Sequence, residues 1–209
     1  DGTPELYVGF WSLHGVHGVT LDGQRIFRQR TRPTVLSLAV TRASDFDSQL
    51  LLTTPNGGIV PLNRFGNFDP EVTVGEHPIV QLATAGYDNP KAPAKSRYAA
   101  LSQTAQSQLQ ALGLAADLKT IVWQAELPKG VHERPLEFIT SGPLPGGVFG
   151  WLIAGADGSL QLISDDGSFR EQWHTGQALS GVSLTQWGND VVLVTSSANG
   201  VRAWTIEQK

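Results

Sequence analysis

Short apolar runs separated by turn residues recur along the whole chain, and residues 148–184 show the pattern best. Trp151 to Ala154 is continuously apolar and is followed by Asp157-Gly158. Leu160 and Leu162 then alternate with Ser159 and Gln161 ahead of Asp166-Gly167. Phe169 to Trp173 makes a third run, and Leu179 to Leu184 opens the next group after His174-Thr175-Gly176. Asp-Gly between alternating apolar runs predicts a tight hairpin, because glycine takes the positive φ that such a turn needs. Two such turns so close together leave no room for a helix, so the stretch predicts short antiparallel strands.

The same pattern repeats elsewhere. In residues 6–31, Gly9 aligns with Gly155, Leu21-Asp22-Gly23 with Ser164 to Gly167, and Phe27 with Trp173. A further copy spans Arg97 to Trp123, so aromatic anchors stand at 27, 123 and 173. Between these copies lies a strand pair, Gln49 to Asn63, around Asn56-Gly57, followed by Glu71 to Val74 without an outer-strand Trp. The last copy, Asp190 to Ile206, stops before an outer strand. Innermost strands are predicted at Val35–Thr41, Pro78–Thr84, Leu136–Thr140 and Leu179–Gln186. Residues 102–116, rich in Gln, Ala and Leu, have high helix propensity. Their repeat register through Leu109, Ala111 and Leu114 predicts strand, turn, strand instead.

A period near 50 residues signals a propeller. The fold expected is all-β: one β-propeller domain over residues 1–209, with about five antiparallel blades at 5–31, 33–75, 77–128, 134–174 and 178–207. The two terminal blades are expected to have three strands. A partner protein or a further part of the same chain would then complete the ring, unless a small five-bladed ring tolerates them; the former is the expectation. Gly155, Asp157, Gly158, Leu160, Leu162, Gly167 and Trp173 carry a resemblance to the repeat of quinoprotein-like (PQQ-like, WD-like) propellers. That resemblance implies the same fold. It also implies that a dehydrogenase of the family would carry a Cys pair, a catalytic Asp and calcium ligands. This chain has no Cys and fewer blades, which departs from that pattern, so no cofactor is expected.

Composition narrows the function. The formal net charge of −4 argues against nucleic acid, which needs a basic face. No apolar run is long enough to span a membrane as a helix. Without Cys there is no disulfide, thiolate metal site or cysteine nucleophile. The absence of Met suggests a processed chain. With the habits of the resembled family, that leads us to expect a periplasmic or extracellular protein.

Four of the five His residues, His14, His77, His132 and His174, are predicted in loops that gather on one face. Convergent His residues can hold a ligand or metal, but no carboxylate stands at useful spacing, and a metal is not expected. Arg25, Arg28, Arg30, Arg32 and Arg42 concentrate positive charge, either to blunt an edge strand or to meet an anionic ligand or acidic partner. The binding residues proposed are Arg32, His77, His132 and His174; no catalytic residue is proposed. Phe27, Trp123 and Trp173 read as docking residues between blades, and Trp11, Trp151, Trp187 and Trp204 as core. Long connections are predicted at 42–48, 86–96 and 141–150. The function expected is a non-catalytic scaffold or protein-binding module within a larger exported protein. The alternative is an enzyme or ligand-binding propeller, quinoprotein-like or carbohydrate-active. For the carbohydrate case the innermost strands supply one carboxylate, Glu137.

Overall fold

The computed structural model describes residues 5–11, 14–30, 34–44, 47–85, 95–104, 106, 108–127, 139–144, 149–155 and 157–206. Among them all regular structure is β-strand, in five antiparallel sheets whose strands pair with their neighbours in the chain. The first sheet is β1 (Glu5–Gly9), β2 (Val16–Thr20) and β3 (Arg25–Gln29). The second is β4 (Leu38–Ser44), β5 (Asp47–Thr53), β6 (Gly58–Asn63) and β7 (Val72–Thr73). The third is β8 (Ile79–Thr84), β9 (Tyr98–Gln103), β10 (Leu109–Leu114) and β11 (Ile121–Glu126). The fourth is β12 (Ile139–Pro143), β13 (Phe149–Ala154), β14 (Ser159–Ser164) and β15 (Phe169–His174). The fifth has three strands, β16 (Leu179–Trp187), β17 (Asp190–Ser197) and β18 (Gly200–Ile206). The chain forms two compact units, residues 1–82 and 83–209, with the boundary inside β8.

The turns form for the reasons the sequence suggests. At Asp157-Gly158 the Gly158 N–H donates to the Gly155 carbonyl at 3.1 Å, and the Asp157 carboxylate accepts the Ser159 N–H at 2.9 Å. Gly158 sits at φ 89°, a region that L side chains rarely adopt. Ser164 to Ser168 repeats the arrangement around Asp166-Gly167. The segment with helix propensity is β9 and β10, paired in register from Leu109–Gln103 to Leu114–Tyr98. Burial on both faces of these inner strands overrides local propensity.

Each unit has its own core. In the first, Val16, Val35, Leu50, Leu52, Val60 and Leu62 are buried together, with Tyr7, Phe27, Leu38 and Phe68 packed against them. In the second, Trp151, Leu152 and Ile153 of β13 are fully buried, as are Leu160 of β14 and Leu101 and Leu114 of the third sheet. Continuous apolar runs such as Trp151–Ala154 mark strands covered on both faces.

Several expectations need correction. Phe10, and not Gly9, is the counterpart of Gly155: Phe10 N–H reaches the Gly15 carbonyl as Gly155 N–H reaches that of Ser159. Arg42 to Ser48 is mostly strand, because β4 and β5 pair as far as Ser44–Asp47. Ser141 to Pro143 belong to β12. Of the four Trp residues read as core, only Trp151 is fully buried; Trp11, Trp187 and Trp204 are exposed. The segments 86–94, 128–138 and 145–148, with Glu137 and the start of one predicted inner strand, lie outside the described residues.

Candidate functional site

Three outer strands, β3, β11 and β15, carry a bulge at the same place. Gly18 pairs with Phe27 and Val19 with Arg25; Gly113 pairs with Trp123 and Leu114 with Ile121; Leu162 pairs with Glu171 and Ile163 with Phe169. The residue following each bulge is therefore Phe27, Trp123 and Glu171. Trp173, the residue expected to match the first two, sits two positions further on, opposite Leu160. Sequence spacing misplaced it because a two-residue shift along a strand keeps the same face.

The first two sites share one construction. Both aromatic rings lie over a glycine of the strand paired with their own, β2 or β10, since a methyl group at Gly18 or Gly113 would stand 2.6 Å or 2.1 Å from ring atoms. The other side of each residue meets the next sheet's third-to-fourth turn. A methyl group at Gly66 would fall 2.7 Å from the Phe27 ring, and one at Gly167 would fall 2.4 Å from Cβ of Trp123. Trp123 is also fixed by polarity. Its Nε1–H donates to the Ser96 hydroxyl at 3.0 Å, Trp151 Nε1–H donates to the same oxygen at 2.8 Å, and that hydroxyl donates to the Asp165 carbonyl at 2.6 Å. One donor and two acceptor sites exhaust what a serine hydroxyl can offer. Ser96 was not singled out from the sequence, and its place at the end of a long polar connection carries no signal of this role.

Beside Trp173 the construction changes. β18 is the third strand of its sheet, and no fourth strand or third-to-fourth turn follows it among the described residues. A cavity of about 380 Å³ lies there instead. Leu160 and Trp173 of the fourth sheet and Leu193, Trp204 and Ile206 of the fifth line it, with polar groups from Glu171 and His174. Trp204 is paired with Leu193 across the sheet, and its indole N–H donates to the Thr195 hydroxyl at 3.3 Å. The third strands β6, β10 and β14 are almost wholly buried, whereas β18 is exposed from Gly200 to Thr205. Val201 is 72% exposed, Trp204 45% and Trp187 79%.

Of the two proposed binding residues that are among the described residues, His77 and His174, only His174 lines this cavity. His174 ends β15; its Nδ1 accepts the Gly176 N–H at 3.0 Å and its Nε2 lies 3.9 Å from the Asp157 carboxylate. His77 is half-buried in the first unit, where its backbone carbonyl packs on the Gly57 turn. Arg32 and His132 lie outside the described residues. Among the described residues no three His, Cys, Asp or Glu side chains come together as a metal site.

The first unit holds a cationic strip on β3. Arg25, Arg28 and Arg30 are exposed, and an Arg28 guanidinium nitrogen lies 3.4 Å from His14 Nδ1. Lost hydration, and then repulsion by Arg30 and Arg25, push the Arg28 guanidinium below its ordinary value. Burial followed by Arg28 holds the His17 imidazole below its own. The charge serves an outer strand by discouraging edge pairing with another chain.

These antiparallel sheets of three or four strands define an all-β protein of the β-propeller class. The comparisons agree on the fold. The chain superposes on BBS1N from its crystal structure in complex with ARL6DN, with TM-score 0.72 and 13% identity. The match covers 98% of this chain but 62% of that one, so this chain spans less than two thirds of its neighbour. A crystal structure of a protein of unknown function from Bacteroides caccae matches with TM-score 0.56 and 12% identity over 99% of this chain and 70% of that one. No protein-family model and no curated protein matches the sequence.

Proposed function

We propose that residues 1–209 form a single propeller domain serving as a non-catalytic protein-binding scaffold within a larger, exported protein. The observation that carries this reading is β18, exposed from Gly200 to Thr205, with its Trp204 beside an apolar cavity. An exposed aromatic side chain beside an apolar cavity marks a place where another molecule sits. The neighbour BBS1N was crystallised with a protein bound to it, which agrees with a partner-holding role. Export is supported by the habit of the propeller family that Gly155, Asp157, Gly158 and Trp173 resemble.

The test is site-specific photocrosslinking in cells of the source organism, followed by fractionation. A crosslinker at Val201 should give one discrete heteromeric adduct in the periplasmic or extracellular fraction. The same crosslinker at Phe65, which is 64% exposed in the first unit, should give none. Adducts to no protein from either position would overturn the scaffold reading, and recovery in the cytoplasm would overturn export.

A further inference from the structure

Independently of that reading, we infer that the first sheet carries a second site, which binds a phosphate group through Arg28 with Arg25 and Arg30 on either side. The strand register brings these guanidinium groups together. Arg28 stands opposite His17 and Arg25 opposite Val19, and His17 and Val19 share one face of β2. Arg30 lies two residues beyond Arg28. Phe27 and Gln29 take the other face, where the Phe27 ring meets Gly66 and the Gln29 amide donates to the Gly66 carbonyl at 3.1 Å.

The sheet does not balance these charges itself. Its carboxylates are Glu5 and Asp22, and both are engaged elsewhere. Glu5 accepts the Tyr7 hydroxyl; Asp22 accepts the Thr20 hydroxyl and, at 2.9 Å, the Gln24 amide. None of the three arginines forms an ion pair among the described residues. Arg28 instead has a guanidinium nitrogen 3.4 Å from His14 Nδ1, and His17 Nε2 is buried with no hydrogen-bond partner among the described residues. Phe10 packs on both imidazoles, with ring centroids 5.6 Å from His14 and 4.9 Å from His17. Edge protection accounts for charge on β3, but not for its single sign on a single face. Crowded like charges and an unpaired buried nitrogen both oppose folding, and together they point to an anion that uses them.

Geometry selects the class of anion. Residues two apart on a strand stand about 6.6 Å from each other, so the outer guanidinium groups approach a ligand at Arg28 from different sides. A carboxylate offers its oxygens along one edge, whereas a phosphate offers three strong acceptors in different directions. The arginine fork engages two such oxygens at once. A neighbouring imidazole suits either protonation state of the ligand, accepting from a P–OH or, once protonated, donating to a P–O⁻. A soluble phosphate ester and a lipid headgroup both carry this group.

The test titrates inorganic phosphate into the protein at constant ionic strength and follows the histidine ring protons by NMR. The His14 and His17 signals should move along one saturation curve while those of His77 and His174 stay in place. Arg28→Gln should weaken binding about ten-fold, as the loss of a charged hydrogen bond does. Arg64→Gln removes the same charge from a guanidinium that stacks on Phe65, and should leave binding unchanged. Without phosphate, Arg28→Gln should melt no lower than the parent, which separates lost binding from misfolding; with phosphate, only the parent should gain in melting temperature. Equal weakening by the two variants, or shifts that never saturate, would reduce the effect to general screening and overturn the site. Glycerol 3-phosphate, and phosphatidylcholine vesicles with and without phosphatidic acid, then identify the carrier; failure of both overturns the inference. Binding by residues 1–209 that the complete natural protein lacks would assign the arginines to another segment of that protein, and would overturn it too. The crosslinking result at Val201 is untouched by any of these outcomes.

Discussion

The junction between the third and fourth sheets and the junction between the fourth and fifth use equivalent outer strands with the same bulge, yet among the described residues only the first has a covering turn. At the first, Trp123 is covered by the Gly167 turn and tied to Ser96. At the second, the equivalent position is Glu171, the nearby ring is Trp173, and a cavity replaces the covering turn. The difference teaches that an outer-strand aromatic stabilises only when the following sheet supplies the turn that closes over it.

The largest effect should separate the two tryptophans. Trp123→Ala removes a buried ring and leaves Ser96 short of a donor, so it should cost about 3–5 kcal/mol. Trp173→Ala, on a half-covered ring facing a cavity, should cost about 1 kcal/mol. Urea denaturation of both variants checks this. Equal losses would mean that the fourth-to-fifth junction is as closed as the other, and the contrast would break.

A pair of glycines sharpens the same contrast. Gly167 and Gly176 both take positive φ, 89° and 77°. Alanine at Gly176 meets no heavy atom within 4 Å, so only backbone strain of about 1 kcal/mol applies. Alanine at Gly167 adds a collision with Trp123, and overpacking raises the cost to about 2–4 kcal/mol. Thermal unfolding of the two variants isolates the contribution of the turn resting on the indole. No difference between them would mean that the turn carries no packing.

Much of this arrangement was legible in the sequence, and the reasons are local. Asp157-Gly158 and Asp166-Gly167 announce their hairpins because turn geometry depends on residues adjacent in the chain. The strand-turn-strand reading of residues 102–116 held because Leu109, Ala111 and Leu114 all lie in β10. Registers were less legible. The bulges at Ile26, Val122 and Arg170 insert a residue that no spacing rule reveals, so Trp173 was matched to Phe27 two positions too late. The site was the least legible. His174 came from loop placement and lines the cavity, but Trp204 read as core because a large aromatic beside alternating apolar residues usually is. Its exposure goes with the lack of a further strand beside β18 among the described residues, which no residue within β18 encodes.

The smallest effect is also the most direct probe of the unfinished junction. Glu171→Phe puts an aromatic ring where Phe27 and Trp123 stand. Were the anchor alone sufficient, the substitution would stabilise the protein as those rings do. Because no turn of the fifth sheet among the described residues covers this position, the new ring would remain largely in water, and stability should change by no more than about 0.5 kcal/mol. A gain above about 1 kcal/mol would show that the fifth sheet already presents a closing surface. The cavity beside Trp204 would then be an ordinary packing defect, and the two junctions would differ in degree alone.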